Sequence, residues 1–186
     1  QLASLMVLTD VTNDDVPYVS PSNKSLKMDS YTINGAEAFL TPEQANYLNG
    51  EGITTALNFI GGWKAWGNRT AAFPANTDVK DNFIPIRRMF NWVSNSLILS
   101  HYSKVDNPLN RRQIDAVIDS ANIWFNGLAA REQILGGRVE FLESENPTAD
   151  LMNGITRYHV YVTPPSPNER QDFIVEYDPS YISSLL

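Results

Sequence analysis

Cysteine is absent from all 186 residues. That excludes disulfides, thiol nucleophiles and thiolate metal sites. Histidine is scarce, with only His101 and His159 present. His101 falls near the end of a helical pattern, where a cation offsets the helix dipole. His159 alternates out of phase with Tyr158 and Val160, so it is expected to face solvent or a partner, and both histidines read as structural rather than as a catalytic base. Basic charge is also short: 14 Lys and Arg stand against 21 Asp and Glu, a net charge of −7. A general nucleic-acid binder needs a basic surface for its phosphate contacts, so that class is excluded. No apolar run approaches the roughly 20 residues that cross a bilayer, and no signal-peptide pattern occurs. The chain also lacks a G-x-S-x-G elbow, a P-loop, a Rossmann fingerprint and an H-E-x-x-H pair. No cofactor or metal is expected. The acids Asp14-Asp15, Asp78 with Asp81, and Glu140, Glu143 and Glu145 show no EF-hand spacing.

What is present is enough apolar matter for a proper core, 42% hydrophobic with 8 Phe, 8 Tyr and 4 Trp, which suits one domain over 1–186. The apolar opening QLASLMVLTD reads as the tail of a helix, so the chain is expected to be a piece of a longer protein, with a helix end and loop over 1–26. SLKMDSYTING suggests a strand running into a tight turn at Asn34-Gly35. In LTPEQANYLNGEG, Thr41 is placed to N-cap a helix, with Pro42 at its first position, Gln44 closing a capping box and Gly50 ending it. GITTALNFI reads as a buried strand. Apolar residues at Ile86, Met89, Phe90, Val93, Leu97 and Ile98 predict a first long helix. Asp106-Asn107-Pro108 interrupts it, and Ile114, Val117, Ile118, Ala121, Trp124, Phe125 and Leu128 then form one stripe of a second. ILGGRVEFLE reads as a strand and NPTADLMNG as a helical turn capped by Gly154. ITRYHVYVT and QDFIVEYD alternate on either side of PPSPNER, which suggests a C-terminal hairpin. The fold class is α+β: a small mixed sheet with that hairpin, packed against two long helices.

GGWKAWGNRTAAFP places two tryptophans three residues apart on a glycine-rich stretch. That is a sugar-stacking platform, a nucleobase platform or a packed corner. With nearby acids, a carbohydrate-binding or glycoside-hydrolysing domain is one reading. The architectural reading makes Trp63, Trp66, Phe90, Val117 and Trp124 core residues, with Trp66→Ala costing roughly 3–5 kcal/mol.

TALNFIGGWKAWGNRTAAFP, followed by DNFIPIRRMFNWV, resembles the C-terminal part of contractile-tail sheath proteins of phages, defective prophages and R-type bacteriocins. The resemblance continues through DNPLNRRQIDAVIDSANIWFNGLAARE and ENPTADLMNGITRYHVYVTPPSPNERQDFIVEYDPSY, and upstream through VLTD and VPYVSPSNKSL. It covers essentially the whole chain, and W-G-N-R-T and I-P-I-R-R-M-F are its specific blocks. It implies a structural polymer subunit rather than an enzyme. Such subunits stack in rings around an inner tail tube, with the C-terminal domain forming the inner, tube-facing layer. Extended arms add strands to neighbouring sheets, so the lattice stays linked as it contracts. The implied partners are other sheath subunits, the tube protein, the baseplate and the tail terminator, with no nucleic acid and no membrane contact. The implied location is the tail of a virion or phage-tail-like particle assembled in the bacterial host cytoplasm. The strand-exchange candidates are Tyr158, Val160, Val162, Phe173, Val175, Tyr177 and Tyr181, and 178–186 is expected to begin the C-terminal arm. A non-polymerising tail or baseplate component stands as the alternative.

Overall fold

The computed structural model describes residues 1–185; of the arm start expected over 178–186, Leu186 lies outside the described residues. Helix α1 spans Leu2–Val11, and a turn-rich loop carries the chain to a hairpin of β1 (Tyr31–Ile33) and β2 (Ala36–Ala38). Asn34 and Gly35 form its turn with φ of 53° and 82°, the left-handed geometry a two-residue hairpin connection requires. Helix α2, Pro42–Gly50, starts as the sequence indicates: the Thr41 hydroxyl accepts from the Gln44 amide, and the Gln44 side chain returns a bond to the Thr41 amide. The helix ends at Gly50, as expected, and the left-handed residue follows two positions further on. Gly52, not Gly50, takes the left-handed position at φ 75°, and the Ile53 amide reaches back to the Leu48 carbonyl at 3.0 Å.

Strands β3 (Thr55–Asn58) and β4 (Trp63–Trp66) form a second antiparallel hairpin. The expected buried strand is shorter and more open than its composition suggests. Only Leu57 is buried, while Phe59 and Ile60 sit exposed at the turn, because this two-stranded sheet has a single face to cover. The segment around Lys24 and Leu26 bonds along the far edge of β4. Trp63 is 6% exposed, donates its indole N–H to the Asp29 carbonyl at 2.8 Å, and packs edge-on to Tyr31. Trp66 points to the opposite face, is half-buried, and donates to Asn46 Oδ1 at 2.9 Å. A half-exposed tryptophan loses less on truncation than a core one. Trp66→Ala is therefore expected to cost about 1–2 kcal/mol in denaturant unfolding, not the value for a core aromatic.

A short helix α3 (Val79–Asn82) leads into α4 (Ile84–His101), which carries Pro85 in its first turn. Helix α5 (Arg111–Ala130) is N-capped by Asn110, whose side chain accepts from the Gln113 amide at 2.9 Å. Strand β5 (Gly136–Glu140), helix α6 (Thr148–Met152) and β6 (His159–Thr163) complete the chain, before a 3-10 segment at Pro179–Leu185. The principal core lies where α4 and α5 meet β5 and β6: Met89, Val93, Ala121, Phe125, Leu128, Ile134 and Val139, joined by Val16. Val117 is 9% exposed, whereas Phe90 and Trp124 are half-buried. Ile98, expected on the core stripe, is 62% exposed, because at 3.6 residues per turn it lies well round the helix from Met89 and Val93, which the core buries.

The α+β class stands, with two corrections to its sheet. Among the described residues the strands form three separate antiparallel pairs rather than one mixed sheet. The C-terminal hairpin of Tyr158–Thr163 with Asp172–Tyr177 is not formed. Instead β6 pairs with β5, Val139 opposite Val160, and residues 164–178 contain no strand. Burial against α5 favours β5 as the partner, and the prolines at 164, 165 and 167 lack the amide donors a tight hairpin return would use.

Candidate assembly interface

The two edges of the β5–β6 pair differ. Asn122 of α5 accepts from the Val139 amide at 2.7 Å and donates to its carbonyl at 3.3 Å, so the outer edge of β5 is already filled by a side chain. Val139 thus turns its backbone away from β6. In an antiparallel ladder its opposite number, Val160, must turn its own backbone away from β5. By the same alternation the outward-facing main-chain groups belong to Tyr158, Val160 and Val162, and among the described residues no backbone bond occupies them. Their side chains pack on the core cluster. Burial raises the Tyr158 phenol above its ordinary value, with a bond to Thr156 acting the other way.

Beside this edge lies a groove of about 810 Å³, lined by Leu97, Ile98, Val105, Leu109, Ile155 and Tyr158 among others. It is the exposed continuation of the apolar stripe of α4. The C-terminal segment, by contrast, is an apolar strand sequence without a sheet. Phe173 is 84% exposed, Val175 91% and Tyr177 78%, and Ile174 between them is equally open. Tyr181 is also exposed. Contiguous apolar exposure of this kind marks a surface that another polypeptide covers. Serine bonds at Ser180 lower the Asp178 carboxyl below its usual range, which fixes the turn that follows the segment.

Arg69 connects the segment to the rest of the domain. Its guanidinium lies 4.0 Å from the Phe83 ring centroid and 4.5 Å from that of Phe73, and Nη2 donates to Glu169 Oε2 at 2.6 Å. Nothing in the spacing of the two residues, a hundred positions apart, announces this pair. Asn122 is equally silent in sequence, since a polar residue beside an apolar helical stripe reads as solvated.

Of the acids weighed for catalysis, Asp78 caps α3 by accepting from the Lys80 amide, Asp81 pairs with Arg87 at 3.0 Å, Glu140 with Arg138 at 2.7 Å, Glu145 with His159 at 2.7 Å, and Asp14 accepts from the Gln133 side chain at 3.3 Å. His159 thus contacts its own chain, stacked 4.3 Å from Tyr161. His101 bridges the Leu97 carbonyl and the Ser120 hydroxyl, tying α4 to α5. Among the described residues no group of three or more His, Cys, Asp or Glu is placed to hold a metal, and no helix is long and apolar enough to cross a membrane.

The fold thus brings together an open strand edge, an apolar groove and an unpaired strand sequence. Over 141 residues, 75% of this chain and 29% of the relative, the sequence is 33% identical to the tail sheath protein of Burkholderia phage BcepMu. Over that stretch the chain is a homologue of a tail sheath protein. It spans less than a third of the length of that curated relative. No family model matches it. Among solved structures, the contracted sheath complex of the extracellular contractile injection system PVC superposes with a TM-score of 0.80 at 19% identity, over 97% of this chain and 51% of that one. The contracted helical sheath of the anti-feeding prophage gives 0.72 at 20% identity, over 93% and 48%. The anti-feeding prophage baseplate structure gives 0.76 at 19% identity, over 95% and 49%. The chain therefore carries the fold found in contractile sheaths.

Proposed function

We propose that this chain is the C-terminal, tube-facing domain of a contractile-tail sheath subunit that polymerises by strand exchange. The observation that carries the reading is the exposed strand sequence at Phe173, Val175 and Tyr177 on a domain whose β6 edge is unfilled. In β-augmentation, main-chain bonds to an open edge supply affinity and alternate side chains supply register. Tyr158, Val160 and Val162 form the acceptor edge; Phe173, Val175 and Tyr177 form the donor, and the stretch from Tyr181 continues the arm. Acceptor and donor then belong to two copies of the chain rather than to one hairpin. Linked this way, subunits stay connected while the lattice moves from an extended to a contracted form and drives the inner tube. The further partners are the tube protein, the baseplate and the terminator, in a virion tail or phage-tail-like particle assembled in the host cytoplasm. The likeness to a baseplate structure favours one alternative, a tail component that binds sheath ends without polymerising.

Negative-stain microscopy of the full-length parent, purified without its tube protein, tests the choice. Hollow tubes of contracted-sheath appearance are the expected result. Discrete particles that stay discrete at high concentration would transfer the assignment to the end-binding component.

A further inference from the structure

We infer that Arg69 is a positioning residue for strand donation: it clamps Glu169 and so sets the direction in which the apolar segment leaves the domain. The inference rests on the assignment of Phe173–Tyr177 as donor strand. The clamp is built from both ends. The Arg69 backbone is fixed in an antiparallel bridge to Phe83, flanked by the Thr70 amide bonding the Asn82 carbonyl and the Ile84 amide bonding the Asn68 carbonyl, both at 2.8 Å. Its guanidinium carbon lies over the rings of both Phe73 and Phe83, a placement that uses the quadrupole of each ring and restricts the side chain. From this rigid seat it reaches Glu169. Pro164 is buried and Pro167 half-buried, so the connector from β6 runs stiffly up to that contact.

Between Glu169 and Tyr177 the side-chain bond of the segment is local, Arg170 to Asp172. Among the described residues from 164 to 177, Glu169 is therefore where the segment is bonded to another part of the fold. The pair also closes one side of a cavity of about 440 Å³ lined by Trp66, Asn46, Asn49 and Phe73. With side chains 20% and 32% exposed, the pair is accessible enough to be released and enclosed enough to hold a direction. An arm that leaves at a fixed angle meets its acceptor pre-oriented, which lowers the ordering cost of association.

Spin labels are placed at Ser94→Cys on α4 and Glu176→Cys in the segment, in the full-length protein kept unassembled and with any cysteine outside these residues replaced; this chain itself contains none. With Arg69 and Glu169 intact, pulsed-EPR distances are expected to form one narrow distribution. Glu169→Ala removes the contact without touching the aromatic seat, so it is expected to abolish that single distance. Glu169→Gln keeps an acceptor and is expected to restore most of it, a rescue that a merely structural role would not give. Arg69→Ala serves only if its melting temperature shows a folded domain; Glu169→Ala carries the test otherwise. An equally broad distribution in the unsubstituted protein, or one unchanged in Glu169→Ala, overturns the clamp. In unlabelled protein, Glu169→Ala is expected to slow polymer growth; if it frees the segment but growth is unchanged, the positioning role is wrong. Failure of strand donation itself reads differently, as polymer that persists after residues 172–177 are deleted.

Discussion

Phe173→Asp and Val175→Asp, introduced together into the full-length protein, are expected to abolish polymer while leaving the melting temperature of the unassembled subunit unchanged. The two side chains are 84% and 91% exposed, so the isolated fold loses almost no packing when they are replaced. In the assembled state each would bury its surface against a neighbour, a gain of about 1.5–3 kcal/mol per apolar side chain. Losing both weakens each inter-subunit contact by about 3–6 kcal/mol, and every 1.4 kcal/mol is about a tenfold change in the association constant. Aspartate also adds the cost of desolvating charge beside an apolar groove. Sedimentation of polymer and a thermal melt of the monomer read the two effects separately. A drop in melting temperature would mean that the segment packs on its own domain; polymer at the original yield would mean that it donates nothing.

The second large effect lies in the core. Phe125 is fully buried in the C-terminal half of α5, in contact with Trp124 and facing Gly137 of β5. Phe125→Ala is expected to destabilise the domain by about 3–5 kcal/mol, a large part of the stability an ordinary domain possesses. Gly137 faces this ring: a Cβ there would stand 2.8 Å from Phe125 Cδ1 and 3.0 Å from Cγ. Gly137→Ala alone is therefore expected to destabilise by overpacking. Combined with Phe125→Ala it is expected to cost less than the sum, because the methyl enters the space that the ring vacates. Additive unfolding free energies in the double-mutant cycle would show that the two residues do not share that contact.

The sequence announced the features whose causes are local. The Thr41–Gln44 capping box and the Asn34-Gly35 turn depend on a few adjacent residues, and both are found where expected. The stripes of α4 and α5 follow from helical period, although Ile98, counted on the first of them, is left exposed. Strand pairing was not legible in the same way. Alternation marks Tyr158–Thr163 and Asp172–Tyr177 as strand-like, but it carries no information about partners. Proximity suggested a hairpin, whereas β6 reaches back some twenty residues to β5 because that pairing closes the core. The features that distinguish the two edges, Asn122 on the Val139 backbone and Arg69 on Glu169, join residues far apart in the chain. Both are polar side chains that in sequence look like solvated surface.

A cryo-EM reconstruction of the polymer formed by the full-length protein tests the central claim most directly. The account predicts residues 172–177 as an extended strand, hydrogen-bonded along β6 of a neighbouring subunit, with Phe173 and Val175 turned toward its apolar groove. Density showing that segment folded back on its own β6, or a neighbouring β6 whose edge stays empty, would contradict it.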